Sequence, residues 1–194
     1  MNPRLFQVAG VSVGWLVFAA TVIPIVLRGR SRSAHRDPAS LLAMLLQGVG
    51  FSFAFGRMRE AVVPGGAGGA VRWTLALAVS VLALSSGAFA VAAVRHLGAQ
   101  WSLIARVTDR HELITTGPYA IVRHPIYTAM LGLLIASGLT FSTPAATATG
   151  LVLYVTGTWR RTKSEERLLT AAFGAQYADY RRRVPALIPY LPTR

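Results

Sequence analysis

Residues 73–94 read WTLALAVSVLALSSGAFAVAAV, a run with no ionisable side chain. At ~1.5 Å of rise per residue, a helix of this length crosses the ~30 Å hydrocarbon core of a bilayer. Its interspersed Gly87 and other small residues suit close helix packing, within or between chains. Two earlier runs share the texture. Leu5 to Leu27 is long enough to span, with Pro24 near its end, where freed backbone groups are satisfied at the interface. Pro38 to Phe55 is just long enough. The short basic loop Arg28–Arg36 between these two runs is predicted to be cytoplasmic. Gly56 to Arg72 contains Pro64-Gly-Gly-Ala-Gly-Gly69, which follows no strand and lacks a phosphate-loop pattern; it reads as a flexible outer linker. Residues 1–94 are therefore expected to form three transmembrane helices, and 95–194 a second region.

Composition supports the membrane class. Hydrophobic residues make up 53% of the chain and charged residues only 14%, against about a quarter charged in soluble domains. The net charge of +13, from 20 Lys+Arg and 7 Asp+Glu, first suggests nucleic acid. Yet the arginines stand at the ends of apolar runs, as in Arg28–Arg36 and Arg181–Arg183. That placement fits positive-inside topology and contact with anionic membrane lipids, and no nucleic-acid partner is expected. With no cysteine, disulfides, thiolate metal sites and a cysteine nucleophile are excluded, and no metal site is expected. The final Leu-Pro-Thr-Arg offers no prenylation box, and the first apolar run reads as a retained span, not a cleaved leader.

After Val94 the texture changes. Arg95 to Arg123 mixes polar and apolar residues, too polar to span and too apolar to be disordered. Pro125 suits the first turn of a helix. A helix from there to Phe141, a break at Ser142-Thr-Pro144 and a second helix to Trp159 would make a hairpin with arms short for full spans. Gly132, Gly138 and Gly157 on its arms permit close packing. From Arg160 to Val184 the periodic residues Leu169, Phe173, Tyr177, Tyr180 and Val184 predict an amphipathic tail helix, or two, bent or ended at Gly174 and stopped by Pro185. It should lie on the membrane face or cap the loop 95–124. The expected fold is an all-α integral membrane protein of about five transmembrane helices, in the cell inner membrane. Its N-terminus would lie outside, with its C-terminus and its reactive face cytoplasmic.

Two polar clusters adjoin the hairpin. One is H111ELITTGPYAIVRHPIY127; the other is R160RTKSEE166. The hairpin brings both to one end. Together they offer backbone N–H groups around Gly117, aromatic faces at Tyr119 and Tyr127, the His124 imidazole, and carboxylates at Glu165 and Glu166. Such a set suits a ligand carrying a cation and an amino group, held by a carboxylate and an aromatic face. Arg161 lies one turn before Glu165 on the same helix face and is suited to clamping a carboxylate. Each residue also has a plainer reading: His124 as a helix cap, the tyrosines as interfacial-belt aromatics, the glutamates as first-turn charges, Arg161 as a topology signal. His35 and His96 read as loop residues.

In these clusters the sequence resembles the isoprenylcysteine carboxyl methyltransferase family and related phospholipid methyltransferase-like membrane proteins. The family's His-x-Leu-x-Thr-x-Gly-x-Tyr and Arg-His-Pro-x-Tyr appear as HELITTGPY and RHPIY. Its Arg, Glu-Glu, Phe-Gly and paired tyrosines appear in R161TKSEERLLTAAFGAQYADYRRRV, followed by Ile188-Pro189. The resemblance covers about 111–189. It implies S-adenosyl-L-methionine as cofactor, contacted by His111, Leu113, Ile114, Gly117, Tyr119, His124, Pro125, Tyr127 and Glu165. Arg161 would hold the acceptor's carboxylate, with Arg161 and Glu165 as the catalytic pair. The implied acceptor is a lipid-like or prenylated small molecule that enters sideways from the membrane. Ile126 and Ala129 stand where eukaryotic members often have small residues and glycine, and the chain is shorter than those members.

The implied reaction is carboxyl O-methylation of a membrane-embedded isoprenoid or lipid-like acceptor. The same scaffold also suits N-methylation of a phospholipid amine, which must lose a proton to a base such as His124 or Glu166. A related membrane fold reduces sterols with a nicotinamide cofactor, but no extra basic pocket for its phosphate is evident. A non-catalytic scaffold or transporter subunit is the remaining class. Transport would call for ionisable residues at mid-span, and the spans contain essentially none.

Overall fold

The computed structural model describes residues 2–28, 38–56, 68–98 and 112–190. The basic loop after the first span, most of the glycine-rich linker, the centre of the 95–124 segment, His35 and His111 lie outside the described residues. The described residues form six helices: α1 (Pro3–Arg28), α2 (Pro38–Phe55), α3 (Gly69–Leu97), α4 (Pro118–Ile121), α5 (Pro125–Phe141) and α6 (Pro144–Arg183). Pro3–Pro24 and Gly69–Leu97 are each long and apolar enough to cross a membrane, while Leu41–Phe55 and Pro125–Phe141 are shorter apolar helices.

α5 is the hub, touching α1, α2, α3 and α6, while α1 pairs with α3 and α2 with α6. Packing is inverted relative to a soluble domain. Large side chains point outward: Leu5, Leu16, Leu45 and Val152 are each about two-thirds exposed. Small ones line the interior, among them Ala54, Ala83, Ala90, Ala129 and Ala136. Hydrocarbon solvates leucine as well as a protein core does, so close backbone approach is what helix pairing gains. The α2–α6 crossing depends on it. A Cβ on Gly50 would lie 2.7 Å from the Gly150 carbonyl oxygen, and one on Gly150 would lie 2.6 Å from that of Gly50. Gly87, Gly132, Gly138 and Gly157 likewise face neighbouring helices of the same chain.

Several buried polar groups of the bundle bond to one another across helices. Gln7 Nε2 donates to Thr140 Oγ1 at 3.0 Å, Trp15 Nε1 to Ser137 Oγ at 2.9 Å, and Gln47 Nε2 to Thr158 Oγ1 at 2.9 Å. These pairs fix helix register, since a polar group without a partner costs several kcal/mol in hydrocarbon.

The turn between α5 and α6 falls at Ser142-Thr143. Ser142 Oγ donates to the Phe53 carbonyl at 2.7 Å, and Thr143 caps α6 by accepting from the Ala146 N–H. In place of a short second arm followed by a separate tail helix, α6 runs 40 residues without a break at Trp159. Residues 159–173 include neither Pro nor Gly, so the change from apolar to charged alters the helix's surroundings and leaves its backbone alone. The single interruption is at Gly174, whose φ of 48° and ψ of −119° bend the helix. Beyond the bend, Tyr177, Tyr180 and Val184 pack with Leu113, Leu169 and Phe173, so the tail covers the strand-like stretch before α4. The N-terminus and the α5–α6 turn share one end of the bundle. The start of α5, the end of α3 and residues 161–183 of α6 share the other.

Candidate active site

At that second end the backbone is pinned first. Arg123 N–H donates to the Pro185 carbonyl at 2.8 Å and His124 N–H to that of Ala186 at 3.0 Å. Thr128 Oγ1 adds a bond to the Leu187 carbonyl at 2.6 Å. The chain beyond α6 is thereby tied to the start of α5, where Pro125 occupies the first helical turn and is fully buried. Tyr154, deeper on α6, donates to the Tyr127 carbonyl at 2.8 Å, and Tyr180 to the Tyr119 carbonyl at 2.6 Å.

Into this frame α6 projects two adjacent carboxylates. Glu166 is buried against Arg123, whose Nη2 and Nε donate to Glu166 Oε1 at 2.7 and 3.0 Å. The remaining Arg123 donor, Nη1, bonds the Arg181 carbonyl at 3.0 Å and also that of Val184. Glu165 turns the other way. Tyr127 donates its hydroxyl to Glu165 Oε1, and Arg161 Nη2 stands 3.6 Å from the same oxygen. Arg161 Nε also donates to Tyr127 Oη at 2.8 Å, with the guanidinium carbon 5.5 Å from the ring centroid. His124 lies between the carboxylates, Nδ1 3.5 Å from Glu165 and Nε2 3.4 Å from Glu166. Its ring tilts against Tyr127 at 6.0 Å between centroids.

Electrostatics follows from this order. Burial opposes the charged form of each group, and the partners outweigh it. Hydrogen bonds and proximity to Glu165 and Glu166 raise the His124 pKa above its ordinary value. Glu165 is lowered by His124, then by Tyr127 and Arg161. Glu166 falls to about 2 through His124 and Arg123. The site therefore favours two ionised carboxylates, with the His124 imidazole between them and the guanidinium groups of Arg123, Arg161 and Arg181 around them. Desolvation raises Tyr119, and the charges of Tyr180 and Glu165 add to the effect, so its phenol stays neutral.

Of the residues expected to act, His124, Tyr127, Arg161 and Glu165 meet in one connected cluster. Tyr119 is buried in α4, and Gly117 caps that helix with φ 60°. A Cβ at Gly117 would collide with the His96 ring. His96 itself is a residue of the last turn of α3, bonded through Nδ1 to the Ala92 carbonyl at 3.0 Å. Leu113 packs against the tail tyrosines, Ile114 is half-buried, and His111 lies outside the described residues. Arg123 received no role from the sequence, although it opens the RHPIY match. Tyr180 likewise received no role beyond its helical spacing.

These features define a helical membrane protein with an ion-paired polar site at one end of its bundle. The model of the isoprenylcysteine carboxyl methyltransferase (ICMT) family matches residues 77–171, just under half of the chain. Methanethiol S-methyltransferase 2 of Bradyrhizobium diazoefficiens is 48% identical over 79 residues, which cover 39% of this chain and 28% of that protein. Mouse protein-S-isoprenylcysteine O-methyltransferase is 35% identical over 88 residues, 43% of this chain and 30% of the relative. The matches thus span less than a third of either relative's length. A solved structure of the eukaryotic intramembrane Ras methyltransferase ICMT (isoprenylcysteine carboxyl methyltransferase) superposes with a TM-score of 0.65 at 19% identity, covering 97% of this chain and 68% of that one. The fold is shared along nearly the whole chain, and the stretch matched by the family model includes His124, Tyr127, Arg161 and Glu165.

Proposed function

We propose that this chain is an S-adenosyl-L-methionine-dependent methyltransferase that O-methylates the carboxylate of an isoprenoid or lipid-like acceptor held in the membrane. The observation that carries the proposal is the Glu165–Tyr127–Arg161 cluster beside His124. Its donor set fits the cofactor. Glu165 is held ionised yet keeps 23% of its side chain accessible, so it remains available to pair an amino group, with the Tyr127 and Tyr119 rings as aromatic neighbours for a cation. Leu113, Ile114, Gly117, His124 and Pro125, with His111, complete the residues assigned to that ligand. Bound there, the cofactor supplies an electrophilic methyl group.

The rest of the chemistry belongs to the protein. Among the described residues Arg161 is the one guanidinium directed at Tyr127 and Glu165, and it is the group to hold an incoming carboxylate in line. The surrounding helices exclude water, and alignment with desolvation accounts for most of the acceleration such a displacement needs. A carboxylate oxygen attacks without losing a proton, so no base is required. This favours the carboxylate over an amine or thiol acceptor. The flanking carboxylates raise the His124 pKa and favour its protonated form, and Glu166, with a pKa of about 2 and paired to Arg123, is a poor proton acceptor. On the membrane side, five spans with the site cytoplasmic suit the distribution of charge. Arg95, Arg160, Lys163, Arg167 and Arg181–Arg183 gather at the site end.

The test is transfer of labelled methyl to reconstituted protein offered three acceptors with the same farnesyl tail: a thioether carboxylate, a primary amine and a free thiol. Label in the base-labile ester of the carboxylate alone is the expected result. Label in the amine or thiol alone would replace the acceptor class, and none in any acceptor would overturn the reading.

A further inference from the structure

The cations on the outer face of α6 have no part in the cluster described above. Up to Trp159, one stripe of α6 points away from the protein: Val152 is 66% exposed, Val155 47% and Trp159 58%. The opposite stripe, Tyr154, Gly157, Thr158 and Arg161, is buried against the bundle. At 3.6 residues per turn the outward stripe continues through Lys163 and passes beside Arg160 and Arg167, all three exposed. Within about two turns the same face changes from branched aliphatics, through an indole, to cations. Lys163 Nζ lies 5.8 Å from the centroid of the Trp159 ring, so the indole and the first ammonium are stacked along the axis.

This order has a physical reading. Aliphatic side chains belong in hydrocarbon, Trp at the level of the headgroups, and Lys and Arg just beyond it, where their stems reach back along the apolar surface. The stripe therefore marks the depth at which α6 leaves the membrane. Among the described residues the three cations at that depth make no ion pair with an acidic side chain. Arg167 Nε bonds to the Lys163 carbonyl, at 3.4 Å, and nearby Glu165 and Glu166 face inward to their own partners. We infer that Arg160, Lys163 and Arg167 form a docking surface for anionic lipid headgroups in the leaflet next to the site. Charge complementarity selects the occupant: three cations on a face already at headgroup depth attract phosphates that carry a net negative charge and leave zwitterionic lipid indifferent. Because Arg161 and Glu165 lie at the same level on the other side of α6, the surface would also set the depth of the site relative to its acceptor. The inference rests on the membrane reading of the helices and stands independently of methyl transfer.

The test uses the full chain in phosphatidylcholine vesicles containing, at equal mole fraction, either brominated phosphatidylglycerol or brominated phosphatidylcholine. Bromine quenches nearby indoles. Subtracting the signal of Trp159→Phe isolates Trp159 from the other tryptophans, of which the chain has four in all. Quenching about twofold stronger by the anionic lipid is expected. The excess should vanish in the exposed-surface variant Arg160→Gln/Lys163→Gln/Arg167→Gln. In the wild type it should also collapse as ionic strength rises toward 1 M, where the screening length shrinks to ~3 Å. Equal quenching by the two lipids would overturn the inference and mean that the face meets bulk lipid without preference or is covered by another protein. An anionic excess that survives both the triple substitution and high salt would also overturn it, placing selectivity elsewhere.

Discussion

Glu165 and Glu166 are neighbours in sequence, but they face different regions of the molecule. On the Glu166 side everything is closed. Arg123 spends its donors on Glu166 and on the carbonyls of Arg181 and Val184, and the backbone of 185–187 is stitched to the start of α5. On the Glu165 side the partners are Tyr127 and Arg161, and part of the carboxylate is still accessible. One region is a clasp that holds α5, α6 and the tail together; the other is what the clasp presents. Chemically similar groups can thus be assigned to stability or to ligand binding by asking which stays open to solvent: Glu165 keeps 23% of its side chain accessible, Glu166 10%.

The sharpest way to break this contrast is Arg123→Gln, which strips buried Glu166 of its bidentate partner and leaves it the longer contacts to His124 and Arg181. Removing one partner of a buried pair costs about 3–5 kcal/mol, so a large drop in the detergent melting temperature is expected, with ligand binding lost as a consequence of unfolding. Unchanged melting would show that the clasp is not structural. Glu165→Gln should do the reverse. Hydrogen bonds to a charged group contribute about 1.5–3 kcal/mol, so cofactor affinity should fall roughly 10- to 100-fold, while the melting temperature moves far less than for Arg123→Gln.

Acidity probes both sides together. Glu166 has its folded pKa lowered to about 2 from an ordinary 4.5, so its stabilisation is complete above about 4.5 and is lost as pH falls toward 2. His124 is raised above its ordinary 6.5, so its contribution is complete below that value and is lost as pH rises through the folded pKa. Melting temperature against pH should therefore show a plateau between two falling arms. The acid arm should shrink in Glu166→Gln and the alkaline arm in His124→Asn; arms that persist in those variants would assign the titrations to other groups. The smallest effect expected is for Tyr180→Phe, which removes the donor to the Tyr119 carbonyl and should cost about 1 kcal/mol with no change in cofactor affinity once the protein is folded.

Much of this was legible in the sequence because it is local. Apolar run length marked α1, α2, α3 and α5. Three-to-four-residue spacing picked out Leu169, Phe173, Tyr177, Tyr180 and Val184, which form one cluster. The unbroken course of α6 through Trp159 was missed, because a change of polarity resembles a boundary when nothing in the backbone marks one. Arg123 was missed for a different reason: its partner stands 43 positions away, and pairing over that distance leaves no periodic trace. The bonds from Arg123, His124 and Thr128 to residues 185–187 fall on main-chain carbonyls, which carry no side-chain signature. Similarly, His96 read as a loop residue because its role depends on the turn at Gly117 coming close.

The central claim is that Glu165 and its neighbours bind the cofactor while Glu166 and Arg123 hold the frame. Its most direct test is calorimetric titration of purified protein with S-adenosyl-L-methionine, comparing wild type, Glu165→Gln and Tyr119→Ala, each first shown to be folded by its melting transition. The account predicts saturable binding to the wild type that is strongly weakened in both folded variants. Wild-type affinity in folded Glu165→Gln, or no binding to folded wild type, would contradict it.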